Sequence, residues 1–123
     1  TIFQRRVVAD GTAIPIGTIL KLTDGNVAVA SSANSDPFAG IAWEEKTAND
    51  GITEIVVAMN GTWSMTTTAA SIPVGNICSI GGANAVALST GSADVIVGTN
   101  VGKVLNAIGA GGGTAIVEVG TFA

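Results

Sequence analysis

Ile14-Pro15-Ile16-Gly17-Thr18-Ile19 returns 58 residues later as Ile72-Pro73-Val74-Gly75-Asn76-Ile77. Two looser matches follow in the same order. They pair Gly40-Ile41-Ala42 with Gly102-Lys103-Val104, and residues 56–63 with residues 116–122. The distance from the Ile-Pro turn to the closing Gly is nearly equal in the two copies, so the spacing predicts an internal duplication into two similar halves.

Short strands are the secondary structure that this sequence favours. Runs of Val, Ile and Thr, four to eight residues long, are bounded by Gly, Asn, Asp and Pro, which is typical of strands separated by tight turns. The only helix candidate, residues 93–107, contains Val-Ile-Val-Gly, a poor helix former. The predicted strands are 2–8, 18–22, 26–30, 38–43, 53–59, 62–65, 76–80, 85–88, 101–105 and 114–119.

These strands predict an all-β protein. Each half contains too few strands for a stable core, so we expect the halves to combine into one small closed or nearly closed barrel or sandwich. Residues 9–123 form the single β domain, with half-repeats at about 9–63 and 64–123. Residues 1–8 precede the first copy and are predicted to form an N-terminal arm, which either adds a strand to another subunit or forms an edge strand of its own sheet.

The charge content is unusually low. Hydrophobic residues make up 47% of the chain and charged residues only 11%, against roughly 25% in an average soluble domain. A neutral surface of small residues suits a subunit that is covered by neighbours, because no unpaired charge has to be desolvated; a low-charge secreted domain is the alternative. The net charge of −4 argues against nucleic acid as a partner.

Common catalytic and metal-binding arrangements are missing from the sequence. The chain contains no His, which excludes Ser-His-Asp triads, Cys-His pairs and His-ligated zinc. Glu44 and Glu45 are adjacent, so on a strand they point to opposite faces and cannot act as an acid and base pair. Residues 109–113 are glycine-rich but precede a predicted strand, unlike a phosphate-binding loop. We therefore expect no enzymatic activity, no cofactor and no resident metal.

Cysteine usage and hydropathy suggest where the chain folds. Cys78 is the single cysteine, so no internal disulfide forms, and its strand position predicts a core residue. No secretory signal is visible, and the uncharged stretch 55–93 is broken by Asn, Gly and Pro, so a membrane span is not expected. These features predict folding in a cytoplasm.

Three segments of the chain are similar to small capsid decoration (cement) proteins of tailed bacteriophages. They are residues 9–22, Phe38-Ala39-Gly40-Ile41-Ala42 and Val57-Ala58-Met59-Asn60-Gly61-Thr62-Trp63. The resemblance implies a tulip-like β domain on the outer face of the phage head, folded in the host cytoplasm. It also implies a homo-oligomer, commonly a trimer, which stabilises contacts between major capsid protein subunits.

The predicted protein interface combines the N-terminal arm with the two large aromatic residues. It consists of Thr1, Ile2, Phe3, Gln4, Arg5, Arg6, Trp43 and Trp63. Two other functions stay open from the residues alone: a carbohydrate- or host-binding module on a virion, and a bacterial fibre, pilus or surface-layer subunit.

Overall fold

The computed structural model describes residues 2–34, 36–68, 70–89 and 98–120. Within these ranges the chain forms ten strands and no helix. The strands are β1 (Phe3–Val7), β2 (Ile19–Thr23), β3 (Val27–Ala30), β4 (Phe38–Ala42), β5 (Glu54–Ala58), β6 (Gly61–Thr67), β7 (Ile77–Gly82), β8 (Ala85–Leu88), β9 (Asn100–Val104) and β10 (Thr114–Val119). The all-β prediction is confirmed, and every predicted strand overlaps an observed one. The helix candidate 93–107 is wrong where it covers β9, and residues 93–97 lie outside the described ranges.

The ten strands form two five-stranded barrels, one from each half of the chain. Their strand orders are β1-β3-β2-β4-β5 and β6-β8-β7-β9-β10, and each sheet closes on itself. In both barrels the first strand pairs in parallel with the third and antiparallel with the fifth. This double pairing closes the sheet within each half, whereas the sequence predicted one barrel shared by both. The prediction of two similar halves is confirmed.

The pairing registers of the two barrels match residue by residue. Leu20 lies opposite Gly40 in the first barrel, and Cys78 lies opposite Gly102 in the second. Each second strand is also irregular directly after that pair. The Ile-Pro turns repeat as well, because Ile14 bridges Lys46 and Ile72 bridges Ile108. The alignment deduced from the sequence therefore corresponds to structural equivalence.

The N-terminal residues belong to the first barrel. Residues 3–7 form β1, whose five residues all pair with β5, from Phe3 opposite Ala58 to Val7 opposite Glu54. Its equivalent is β6, which pairs with β10 in the same way. The boundary between the halves thus lies near residue 60, and the arm predicted at residues 1–8 is a strand of the duplicated unit rather than a segment outside it.

A shared core joins the two barrels. Ile19, Ile41 and Ala58 of the first half are fully or almost fully buried in one cluster with Ile72, Cys78, Val101 and other residues of the second half. A separate cluster fills the first barrel and contains Leu20, Ala28, Ile55 and Val57. One face of the first barrel is therefore buried against the second.

Polar contacts at this junction centre on Asn84, in the turn between β7 and β8. The Ile19 amide donates to Asn84 Oδ1 at 2.8 Å, and the Asn84 amide donates to Ser31 Oγ at 2.9 Å. Ser31 Oγ in turn donates to the Gly82 carbonyl at 3.0 Å. Asn84 has φ of 50°, a left-handed conformation that Asn tolerates better than most residues.

Candidate functional site

Three aromatic side chains meet at the surface where the two barrels join. The ring centroids of Phe3 and Trp43 are 5.0 Å apart, and those of Trp43 and Trp63 are 5.7 Å apart with the rings perpendicular. Phe3 and Trp43 still expose nearly half of their surface, 46% and 45% respectively. We call Ile2, Phe3, Trp43 and Trp63 the aromatic patch.

Each ring of the patch is held by a different strand. Phe3 begins β1, and Trp43 directly follows β4, with its amide donating to the Val56 carbonyl at 3.0 Å. Trp63 lies on β6 opposite Val117 and packs against the shared core. Since all three backbones are fixed by sheet pairing, the rings are positioned before any partner arrives.

Asn60 attaches the start of the chain to the patch. The Ile2 amide donates to Asn60 Oδ1 at 2.6 Å, and Trp63 Nε1 donates to the Asn60 carbonyl at 3.4 Å. Ile2 itself is 60% exposed. The sequence indicated Asn60 and Gly61 only as a turn, and their part in building the patch depends on a contact between residues far apart in sequence.

A shallow groove of about 260 Å³ runs beside the two tryptophans and is lined by Trp43, Gly61, Thr62 and Trp63. Thr62 and Gly61 were not among the predicted interface residues. Their position in the groove follows from the start of β6 next to Trp63. The groove is mainly aromatic and neutral, so it suits contact with an apolar or planar surface.

The remaining predicted interface residues separate from the patch. Arg5 pairs with Glu54 at 3.1 Å on the outside of the first barrel. Arg6 is half-buried and its Nε donates to the Ala39 carbonyl at 3.1 Å. Gln4 is exposed on β1, and Thr1 lies outside the described residues. The structure therefore brings together Ile2, Phe3, Trp43 and Trp63, and not the two arginines.

Three carboxylates line a second groove, of about 210 Å³, together with Arg5. Two of them are engaged with backbone amides: Glu44 accepts from Val56 at 2.7 Å and Glu45 accepts from Ile16 at 2.9 Å. The third, Glu54, pairs with Arg5. Their contacts stabilise loops, and this arrangement provides no acid and base pair directed at a common point.

Lys46 is a buried cation, only 1% exposed. Its Nζ donates to Asp50 Oδ1 at 2.6 Å, to the Thr47 carbonyl at 2.7 Å and to the Asp10 carbonyl at 2.9 Å. Burial by itself lowers the pKa of Lys46, but the hydrogen bonds from Asp50 and Asp10 outweigh it and raise that pKa above its ordinary value. The same hydrogen bond lowers the pKa of Asp50. This network ties together two loops of the first barrel.

Cys78 is fully buried, and burial raises the pKa of its thiol to about 11. The core position predicted for it is confirmed, and such a thiol is a poor nucleophile. Over the described ranges, no three acidic or cysteine side chains cluster as metal ligands would. In the same ranges there is no apolar helix of membrane-spanning length.

Comparison with models of known protein families and with curated proteins finds no match for this chain.

Proposed function

We propose that this protein is a non-enzymatic capsid decoration protein. In this proposal it binds the outer surface of a phage head and stabilises contacts between major capsid protein subunits. The observation that carries the proposal is the aromatic patch, a preformed and partly exposed apolar surface on a chain with little charge. The resemblance of the strand segments to cement proteins supports the choice of partner.

The patch has the properties of a binding hot spot. Trp is the residue type most often found at the energetic centre of protein interfaces, where it enters a dry pocket on the partner. Here two Trp and one Phe are already ordered, so little side-chain entropy is lost on binding. No charged side chain lines the groove beside Trp43 and Trp63, so docking there requires little desolvation of charge.

The role also fits weak single contacts. A head presents many equivalent sites, and a homo-oligomer, with a trimer favoured, would engage several of them at once. Linked contacts raise the apparent affinity by increasing the effective concentration of the second site. One modest apolar patch in each copy is then sufficient for stable attachment.

The test is binding to expanded, empty phage heads that lack their own decoration protein, measured by co-sedimentation. Trp43→Ala is expected to weaken binding by about tenfold or more, since it removes the central ring of the patch. Leu105→Ala is the matched control, because the amides of Leu105 and Trp43 make equivalent hydrogen bonds and Leu105 is 43% exposed. Equal binding by wild type and Trp43→Ala would refute the assignment of the patch.

One observation favours a second candidate, a glycan-binding module on a virion. The perpendicular tryptophans beside the groove could contact the face of a sugar ring. Binding of the wild type to a glycan array, abolished by Trp43→Ala and retained by Leu105→Ala, would favour this function over capsid docking.

A further inference from the structure

The hydrogen-bonded junction between the two halves is built from residues that the duplication supplies twice. The first half contributes Ile19 and Ser31 as the receiving face, and the second half contributes Asn84 as the inserted turn. The equivalent receiving residues of the second half are Ile77 and Ser89, and the equivalent turn residue of the first half is Asn26. All three residue types are identical.

Backbone geometry supports this equivalence. Asn26 and Asn84 both adopt a left-handed conformation, with φ of 63° and 50°. The Ser31 amide donates to the Ile19 carbonyl, and the Ser89 amide donates to the Ile77 carbonyl, both at 2.9–3.0 Å. The turn and the receiving face thus exist in both halves with the same local structure.

Only one of the two possible junctions is made inside a single chain. Asn84 contacts the first half, whereas Asn26 is exposed at the tip of the β2–β3 hairpin. Ile19 is 1% exposed because the second half covers it, while its equivalent Ile77 is only half-buried. The two halves are therefore related head to tail, and each chain retains one turn and one receiving face.

We propose that two copies of this chain associate head to tail through these remaining elements. The Asn26 turn of one copy docks on the Ile77 and Ser89 face of the next, in the way that Asn84 docks on Ile19 and Ser31. Such a heterologous contact produces a closed ring or an open filament, depending on the rotation between copies. The inference rests on the duplication and not on the proposed capsid function.

The intermolecular contact is more polar than the internal one. The apolar residues Phe38, Ile41 and Ala58 of the first receiving face are replaced by Asn100, Lys103 and Glu118 in the second. A face that is exposed before assembly has to be soluble, whereas the internal junction is always covered. We therefore expect a reversible contact that depends on protein concentration.

Asn26→Gly is the variant that tests the contact. Gly accepts the left-handed conformation of Asn26 but removes its side-chain amide. Asn49→Gly is the matched control, because Asn49 is also exposed and has φ of 61° in a different turn. The molar mass of each protein is measured by light scattering over a range of micromolar to millimolar concentrations.

The wild type and Asn49→Gly are expected to form oligomers, and Asn26→Gly to associate at least about tenfold more weakly. A labelled Asn26→Gly chain keeps its receiving face and should still bind the wild type as a terminal subunit. A wild type that stays monomeric throughout, or oligomers unaffected by Asn26→Gly, would overturn the proposal. Filaments would support the head-to-tail contact while contradicting the capsid role, so the two proposals fail separately.

Discussion

Gly102 shows how closely neighbouring strands approach in so small a barrel. A Cβ atom at this position would collide with the Glu118 carbonyl oxygen and lie 2.8 Å from Val119 Cα, both backbone atoms of β10. Its equivalent, Gly40, has φ of 119° and would place a Cβ atom 2.9 Å from Val57. The duplication retains Gly at this position because the strands leave no room for a side chain.

Gly102→Ala is therefore expected to lower the free energy of unfolding by at least about 2 kcal/mol, because backbone has to move to admit the methyl group. Gly109→Ala is the control, since nothing lies within 4 Å of a Cβ atom there, and its effect should stay within about 0.5 kcal/mol. Urea denaturation measures both. A similar small effect of the two substitutions would contradict the close strand approach.

Single residues were predictable where local pattern decides their environment. Cys78 occupies an apolar strand position, and its burial was predicted. Lys46 was not singled out, because its burial depends on Asp10 and Asp50, which lie in separate loops that the fold brings together. The patch was predicted in part: Trp43 and Trp63 were identified by size, but their contact with each other and with Phe3 requires the barrel geometry.

Ionised side chains in the loops make the stability of the first barrel depend on pH. Hydrogen bonds from Lys46 and the Ile52 amide lower the pKa of Asp50 below its ordinary 3.8. Burial tends to raise the pKa of Asp36, but hydrogen bonds from the Ser32 and Ala33 amides and the charge of Lys21 outweigh it and lower that pKa. Stability from a lowered carboxyl pKa is present above the unfolded value and is lost as pH falls through the folded one.

The melting temperature should therefore fall below about pH 4. Since the pKa of Lys46 is raised above 10.5, the contribution of its ammonium should persist below that pH and disappear at higher pH. Asp50→Asn is expected to lower the melting temperature near neutral pH and to flatten the acid limb, and Asp24→Asn, in the exposed β2–β3 turn, to change neither. Calorimetry at several pH values measures this. An acid limb identical in wild type and Asp50→Asn would contradict the role of Asp50.

Strands were predictable because alternating runs and turn residues are local signals. The closure of each barrel was not, because it depends on the parallel pairs β1–β3 and β6–β8. Those pairs form between strands that are not adjacent in sequence, and no local pattern specifies them. The placement of residues 3–7 within the first barrel follows from the same pairing.

At the scale of the whole molecule, the shared core should make the two barrels unfold together. Ile19, Ile41 and Ala58 belong to the core of the second half, so unfolding of either barrel exposes apolar surface of the other. Scanning calorimetry is expected to show one transition with equal calorimetric and van't Hoff enthalpies. Asn84→Gly should lower the melting temperature without splitting the transition. Two separate transitions in the wild type would contradict a shared core.

The central claim is that this molecule acts by docking on a repetitive shell. The most direct measurement is the number of copies bound to each expanded empty head at saturation, determined after sedimentation. The account predicts saturation at a symmetric fraction of the capsid sites, with Trp43→Ala requiring a higher concentration to reach it. Failure of the wild type to bind, or binding that rises without saturating and without regard to Trp43, would contradict it.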